Sequence, residues 1–144
     1  MCDLDALKCC DKNTPEFRLA CDKRICKVVD VYDGDSCKVV FPHNGEFYRW
    51  NIRMNGYDTP EMRPRRNKPN RDAEIAAAKK SRDYLKSLIM NPDQLVYIAC
   101  GDFDKYGRLL GTIYVNESDE QSVNDLMITN GHGYAYDGGT KKSF

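Results

Sequence analysis

The sequence predicts a β-barrel carrying helices, specifically a five-stranded OB fold in which three strands, a helix, two strands and a second helix follow one another. Three observations point there. Five short runs rich in Val, Ile, Leu and Tyr are separated by turn residues. One stretch of helical apolar spacing falls between the third run and the fourth. A length of 144 residues suits one ordinary domain with one core.

Residues 1–24 mix charges, cysteines and one proline without a sustained period, so they read as an irregular arm ahead of a domain spanning 25–137. The β-branched run Ile25 to Tyr32 is the first strand, Asp33-Gly34-Asp35 turns the chain, and Ser36 to Phe41 is the second. Period two places Cys37, Val39 and Phe41 on one face, so Cys37 reads as a small core residue rather than a reactive thiol. Asn44-Gly45 marks a two-residue hairpin into a third strand beginning at Glu46. Tyr48, Trp50, Ile52 and Met54 share one face of it, while Arg53 points away from the core.

Gly56 to about Asn70 reads as a long polar surface lid with three prolines, and Arg63, Arg65, Arg66, Lys68 and Arg71 run along it and just past its end. Asn70 or Asp72 caps a helix to about Met90, with Ile75, Ala78, Leu85, Leu88 and Ile89 as its apolar stripe. Asn91-Pro92 stops that helix. Leu95 to Cys100 and Leu109 to Val115 are the last two strands, joined by Gly101 to Arg108. Ser122 to Asn130 is a short helix that Gly131 ends in the left-handed conformation. The segment from Tyr134 onward is too glycine-rich for regular structure, and 138–144 reads as a flexible tail.

Composition excludes several classes. Apolar residues make up 41% and charged residues 31%, enough for a real core and unlike a disordered polymer. The 22 basic residues balance 22 acidic ones, so no broad electrostatic coat for nucleic acid exists and any phosphate contact must be local. No apolar run approaches a membrane span, and the start lacks an export pattern, so an intracellular, reducing location without a membrane span is expected, and the chain is read as a monomer. Seven cysteines, five of them within the first 26 residues, form no C-x-x-C pair and read as free thiols rather than as disulfides or a zinc site.

Three polar strings sit where a barrel can gather them: Asp33-Gly34-Asp35-Ser36, Arg53 followed by Asp58-Thr59-Pro60-Glu61, and Asp104-Lys105-Tyr106-Gly107-Arg108. Taken singly, each has an ordinary reading as a hairpin turn, a helix start or a solvated loop. Together and in this order they closely resemble the staphylococcal nuclease (thermonuclease) family over about Ile25 to Tyr136. In that family a strand runs into D-G-D-T, an arginine stands five residues before D-T-P-E, and D-K-Y-G-R joins strands four and five.

The resemblance implies a calcium-dependent nuclease that cleaves single-stranded or locally unwound DNA and RNA at the 5′ P–O bond and leaves 3′-phosphate ends. It implies Asp35, Asp58 and the carbonyl of Thr59 as calcium ligands, and Glu61 as the carboxylate next to the attacking water. It also implies Arg53 and Arg108 on the scissile phosphate, Lys105 and Tyr106 on the neighbouring one, and Tyr134 or Tyr136 stacking a base. The chemistry suits these residue types. Phosphodiester hydrolysis builds negative charge on nonbridging oxygens, which planar guanidinium forks bond bidentately. Hard oxygen ligands favour calcium over zinc. Glu61 either takes the proton from water or orients it. The basic residues after Glu61 are expected to grip backbone phosphates, and substitution of Arg53, Glu61 or Arg108 is expected to move stability only modestly. The rival reading is a noncatalytic nucleic-acid or protein-binding module of the same fold.

Overall fold

Alternating burial along the strands closes a barrel, as the period-two patterns predict. The computed structural model describes residues 3–17, 19 and 23–136. Strands β1 (Arg24–Asp33), β2 (Ser36–His43), β3 (Glu46–Met54), β5 (Leu95–Phe103) and β6 (Leu109–Tyr114) form it, with β4 (Tyr57–Asp58) lying outside. The order around the barrel is β1-β2-β3-β6-β5, and β5 closes back on β1. All pairs are antiparallel except β3 with β6. This is the five-stranded OB barrel with helices that the sequence predicts.

Two-residue turns set the register of the meander. Asn44 and Gly45 both take positive φ, 51° and 81°, as a hairpin whose twist matches its strands requires. Cys37, Val39 and Phe41 are buried, as their shared face demands. On β3 the inward stripe holds for Ile52 and Met54 but fails at Tyr48, which is 49% exposed. The hairpin end projects past the barrel there, so its aromatics pack on one another: Trp50 stacks on Phe41 at 4.8 Å and meets Tyr48 edge-on at 6.1 Å.

Helix α2 (Arg71–Ile89) covers the barrel with Ala78, Leu85 and Ile89, and truncating either large aliphatic to Ala would cost about 2–5 kcal/mol. Two polar residues, Glu74 and Ser81, are buried on the same face. The Ser81 hydroxyl donates to the carbonyl of His132 at 2.7 Å. Asn70 occupies the N-cap with φ of 57° and makes no side-chain cap bond, so its part in starting the helix is conformational. Helix α3 (Val123–Thr129) is capped by Ser122, and Gly131 follows with φ of 78°. Buried Asn124 closes the seam beside the parallel β3 and β6 pair: its amide donates to the carbonyls of Asn55 and Gly111, and its Oδ1 accepts from Ile113 N–H.

Three elements depart from expectation. A short helix, α1 (Leu4–Lys8), forms in the arm, capped by the Asp3 side chain. Tyr57 and Asp58 leave the expected surface lid to form β4, which pairs with β7 (Tyr134–Ala135). The tail read as irregular therefore contributes a strand, and Tyr57 through Pro60 are buried rather than lid-like. A Cβ at Gly133 would stand 2.8 Å from the Tyr57 ring, so the glycine content here permits the pairing instead of preventing it.

Cys9, Cys10, Cys26 and Cys37 are free thiols, and burial pushes the Cys26 thiol up to about 12, making it inert. Cys2, Cys21 and the tail 138–144 lie outside the described residues. No helix among the described residues is long and apolar enough to cross a membrane.

Candidate active site

The turn between β1 and β2 builds the first wall. Asp33 Oδ1 accepts the N–H of Asp35 at 3.1 Å, and the Tyr57 hydroxyl donates to the carbonyl of Gly34 at 2.7 Å. A Cβ on Gly34 would meet the Ser81 Cβ at 2.7 Å and the Thr59 Cγ2 at 2.9 Å. The glycine of this turn is thus required by the close approach of α2 and the segment after β4, beyond what the hairpin itself asks.

Between these segments lies Arg53. Its Nη1 stands 3.1 Å from Asp35 Oδ2 and its Nη2 3.3 Å from Asp58 Oδ1. Nη1 also donates to the carbonyl of Met54 at 3.1 Å. Only 12% of the Arg53 side chain is exposed, so it faces away from the barrel core yet is buried among carboxylates, which argues for a larger stability effect at this residue than the sequence suggests. Asp58 Oδ1 also accepts the Thr59 N–H at 3.0 Å, and its Oδ2 accepts the Tyr134 hydroxyl at 3.4 Å. Burial pushes the Asp35 carboxyl above its ordinary value, the charge of Asp33 adds to that, and the Arg53 guanidinium offsets only part of it.

The turn from β5 to β6 builds the opposite wall locally. Asp104 Oδ1 accepts from the backbone N–H of Tyr106 at 2.9 Å and of Arg108 at 2.8 Å, while its Oδ2 takes Arg108 Nε at 2.8 Å. Gly107 supplies the positive φ of 82°. Desolvation acts upward on the Asp104 carboxyl, yet the two N–H donors and the Arg108 guanidinium outweigh it and hold the group below its ordinary value. Tyr106, 72% exposed, lies between two cations, with Lys105 Nζ 5.1 Å and Arg108 Cζ 5.5 Å from its ring centre.

A cleft of about 460 Å³ separates the walls. Asp35, Arg53, Asp58, Thr59, Glu61, Tyr106, Arg108 and Tyr136 all line it, so the residues singled out from sequence converge, apart from Lys105 and Tyr134. Lys105 lines an adjoining groove of about 380 Å³ that shares Arg53, Tyr106, Arg108 and Tyr136 with the cleft. Tyr136 is placed by its own N–H, which donates to the carbonyl of Gly56 at 2.9 Å.

Sequence reasoning named Asp104 and Tyr134 but missed the bonds by which they, and Tyr57, hold this site. Asp104 and Tyr134 each fix a cleft residue through one or more hydrogen bonds, and Tyr57 fixes the carbonyl of Gly34 in the turn that carries Asp33 and Asp35. Asp104 had a signal, since Asp three residues before Gly is an Asx-turn pattern. The hydroxyls of the two tyrosines had none.

Four carboxylates of the cleft, Asp33, Asp35, Asp58 and Glu61, face three guanidinium groups, Arg53, Arg63 and Arg108, of which Arg108 is paired with Asp104. No group of three or more His, Cys, Asp or Glu positioned to hold a metal occurs among the described residues. The donors are nonetheless hard oxygens, with Asp35 and Asp58 buried, and that chemistry fits a calcium-like ion that completes its shell with a backbone carbonyl and water.

The family model described as staphylococcal nuclease homologue matches residues 51–143, a range that includes Arg53, Asp58, Glu61 and Arg108 and begins after Asp35. The Uncharacterized protein MJ1439 of Methanocaldococcus jannaschii is 30% identical over 124 residues, covering 76% of this chain. The chain spans only 58% of that relative's length. With its barrel, its cleft and this match over more than half its residues, the chain belongs to the staphylococcal nuclease homologue family.

Proposed function

We propose that the chain is a calcium-dependent phosphodiesterase that hydrolyses single-stranded or locally unwound DNA and RNA, with water attacking phosphorus, the 5′ oxygen leaving and a 3′-phosphate remaining. The observation that carries this reading is the convergence of Arg53, Glu61 and Arg108 on one cleft beside two buried carboxylates. Asp35, Asp58 and the Thr59 carbonyl would hold calcium, which supplies positive charge against the phosphate oxygens when bound.

The protein's own groups do the rest. Arg53 and Arg108 approach the scissile phosphate from opposite walls and stabilise the charge that develops on its nonbridging oxygens. Glu61, exposed at the rim, orients the attacking water or takes its proton. Lys105 and Tyr106 contact the neighbouring phosphate. Tyr136 offers a face to an unstacked base, an interaction of about 1–3 kcal/mol.

Incubating the protein with single-stranded DNA and with RNA, each in calcium and in chelator, tests the proposal. Cleavage in calcium that chelator abolishes is expected. Binding without cleavage would identify a noncatalytic module instead.

A further inference from the structure

Glu74 is a buried acid that the proposed chemistry does not use. It lies in the first turn of α2 and is 4% exposed. Its Oε2 accepts the backbone N–H of Glu61 at 3.0 Å, and its Oε1 pairs with Lys68 Nζ. A carboxylate this deep is costly unless it is paired and hydrogen-bonded. Lys68 supplies the charge, and the helix N-terminus eases the remainder.

Resting on the functional reading above, we infer that Glu74 is the positioning residue for Glu61. Thr59 and Pro60, immediately before Glu61, are buried and fixed, whereas the segment after it runs out along the surface. The Glu61 N–H is where the chain passes from one to the other, and Glu74 holds it against the helix. The same segment is fastened twice more, by Lys68 on Glu74 and by Arg71 Nε donating to the Pro64 carbonyl at 3.3 Å. Two of the five basic residues there are therefore turned to internal contacts, which leaves Arg63, Arg65 and Arg66 exposed. Glu61 lines the cleft, and the hold of Glu74 on its backbone N–H keeps its carboxylate there.

The test compares Glu74→Ala with Glu74→Gln in the full chain, reading kcat and KM on single-stranded DNA in calcium and the hydrogen exchange of the Glu61 amide. Misplacing a catalytic group by about 1 Å costs on the order of 100-fold. Glu74→Ala is therefore expected to lower kcat by about 10- to 100-fold with little change in KM, and to speed exchange at the Glu61 amide. Glu74→Gln, whose amide oxygen still accepts that N–H, restores most of kcat and the slow exchange. If Glu74→Ala fails to fold, Glu74→Met keeps the volume without an acceptor and carries the same expectation. An undiminished kcat in an active, folded Ala or Met variant overturns the inference alone, as does an equal loss in Gln and Ala. A wild-type chain that leaves both DNA and RNA intact overturns the functional reading and this inference together.

Discussion

Arg53 and Arg108 enter one cleft from opposite walls and are held there by different means. Four separate segments surround Arg53: the turn after β1, β3 itself, β4 and, through Tyr134, β7. Arg108 is held by one side chain four residues away, within a single turn. One wall exists only in the folded barrel, and the other carries its own geometry. The difference teaches that stability and catalysis are joined at Arg53 and separable at Arg108.

The sharpest way to break this comparison is to truncate each arginine. Either Arg53→Ala or Arg108→Ala should lower turnover by roughly 10²–10³-fold, since each removes charge aimed at the transition state. Only Arg53→Ala should also unsettle the fold. It leaves Asp35 and Asp58 buried without their cation, a loss of up to about 3–5 kcal/mol, while Arg108 is 34% exposed and its removal should cost under about 1 kcal/mol. Denaturant unfolding of both variants checks this, and equal losses would erase the distinction between the walls.

Acid should move the walls in opposite directions. The Asp35 carboxyl is raised above its ordinary 3.8, so its charged form burdens the fold at neutral pH, and that burden lifts as pH falls through the raised value toward 3.8. Asp104 is lowered from 3.8, so its contribution is complete above that value and is lost as pH falls below it. Without calcium, Asp35→Asn should therefore stabilise the protein at pH 7 and lose that advantage near pH 4, whereas Asp104→Asn should destabilise at pH 7 and less so in strong acid. Thermal melts across pH decide both signs. With calcium added, wild type should gain a higher midpoint and Asp35→Asn should gain less.

The five barrel strands and two main helices were legible because each spans enough residues to display a period, and because Asn44-Gly45 and Ser122 carry local chemistry. Helix α1, β4 and β7 were not. Five residues, or two, display no period, and the pairing of Tyr57 with Ala135 joins segments distant in sequence. The cleft residues were legible as three strings. The ion pairs of Arg53 with Asp35 and Asp58 were not, because strand alternation assigns a face but not a depth. Glu74 escaped notice because an apolar-stripe reading passes over a polar residue at an inward position.

The smallest effect concerns the exposed loop. Replacing Arg65 and Arg66 together by Ala should raise KM and flatten its salt dependence by up to about two counterions' worth, leaving the chemical step intact. Rates against substrate concentration at two salt levels measure this, and an unchanged slope would confine substrate grip to the two walls.

Hydrolysis of a short single-stranded DNA in calcium and ¹⁸O-labelled water, read by mass spectrometry of both product ends, tests the central claim most directly. Attack by water at phosphorus with the 5′ oxygen leaving predicts one labelled oxygen in a 3′-phosphate and an unlabelled 5′-hydroxyl. A 5′-phosphate product, or no cleavage in calcium at all, would contradict it.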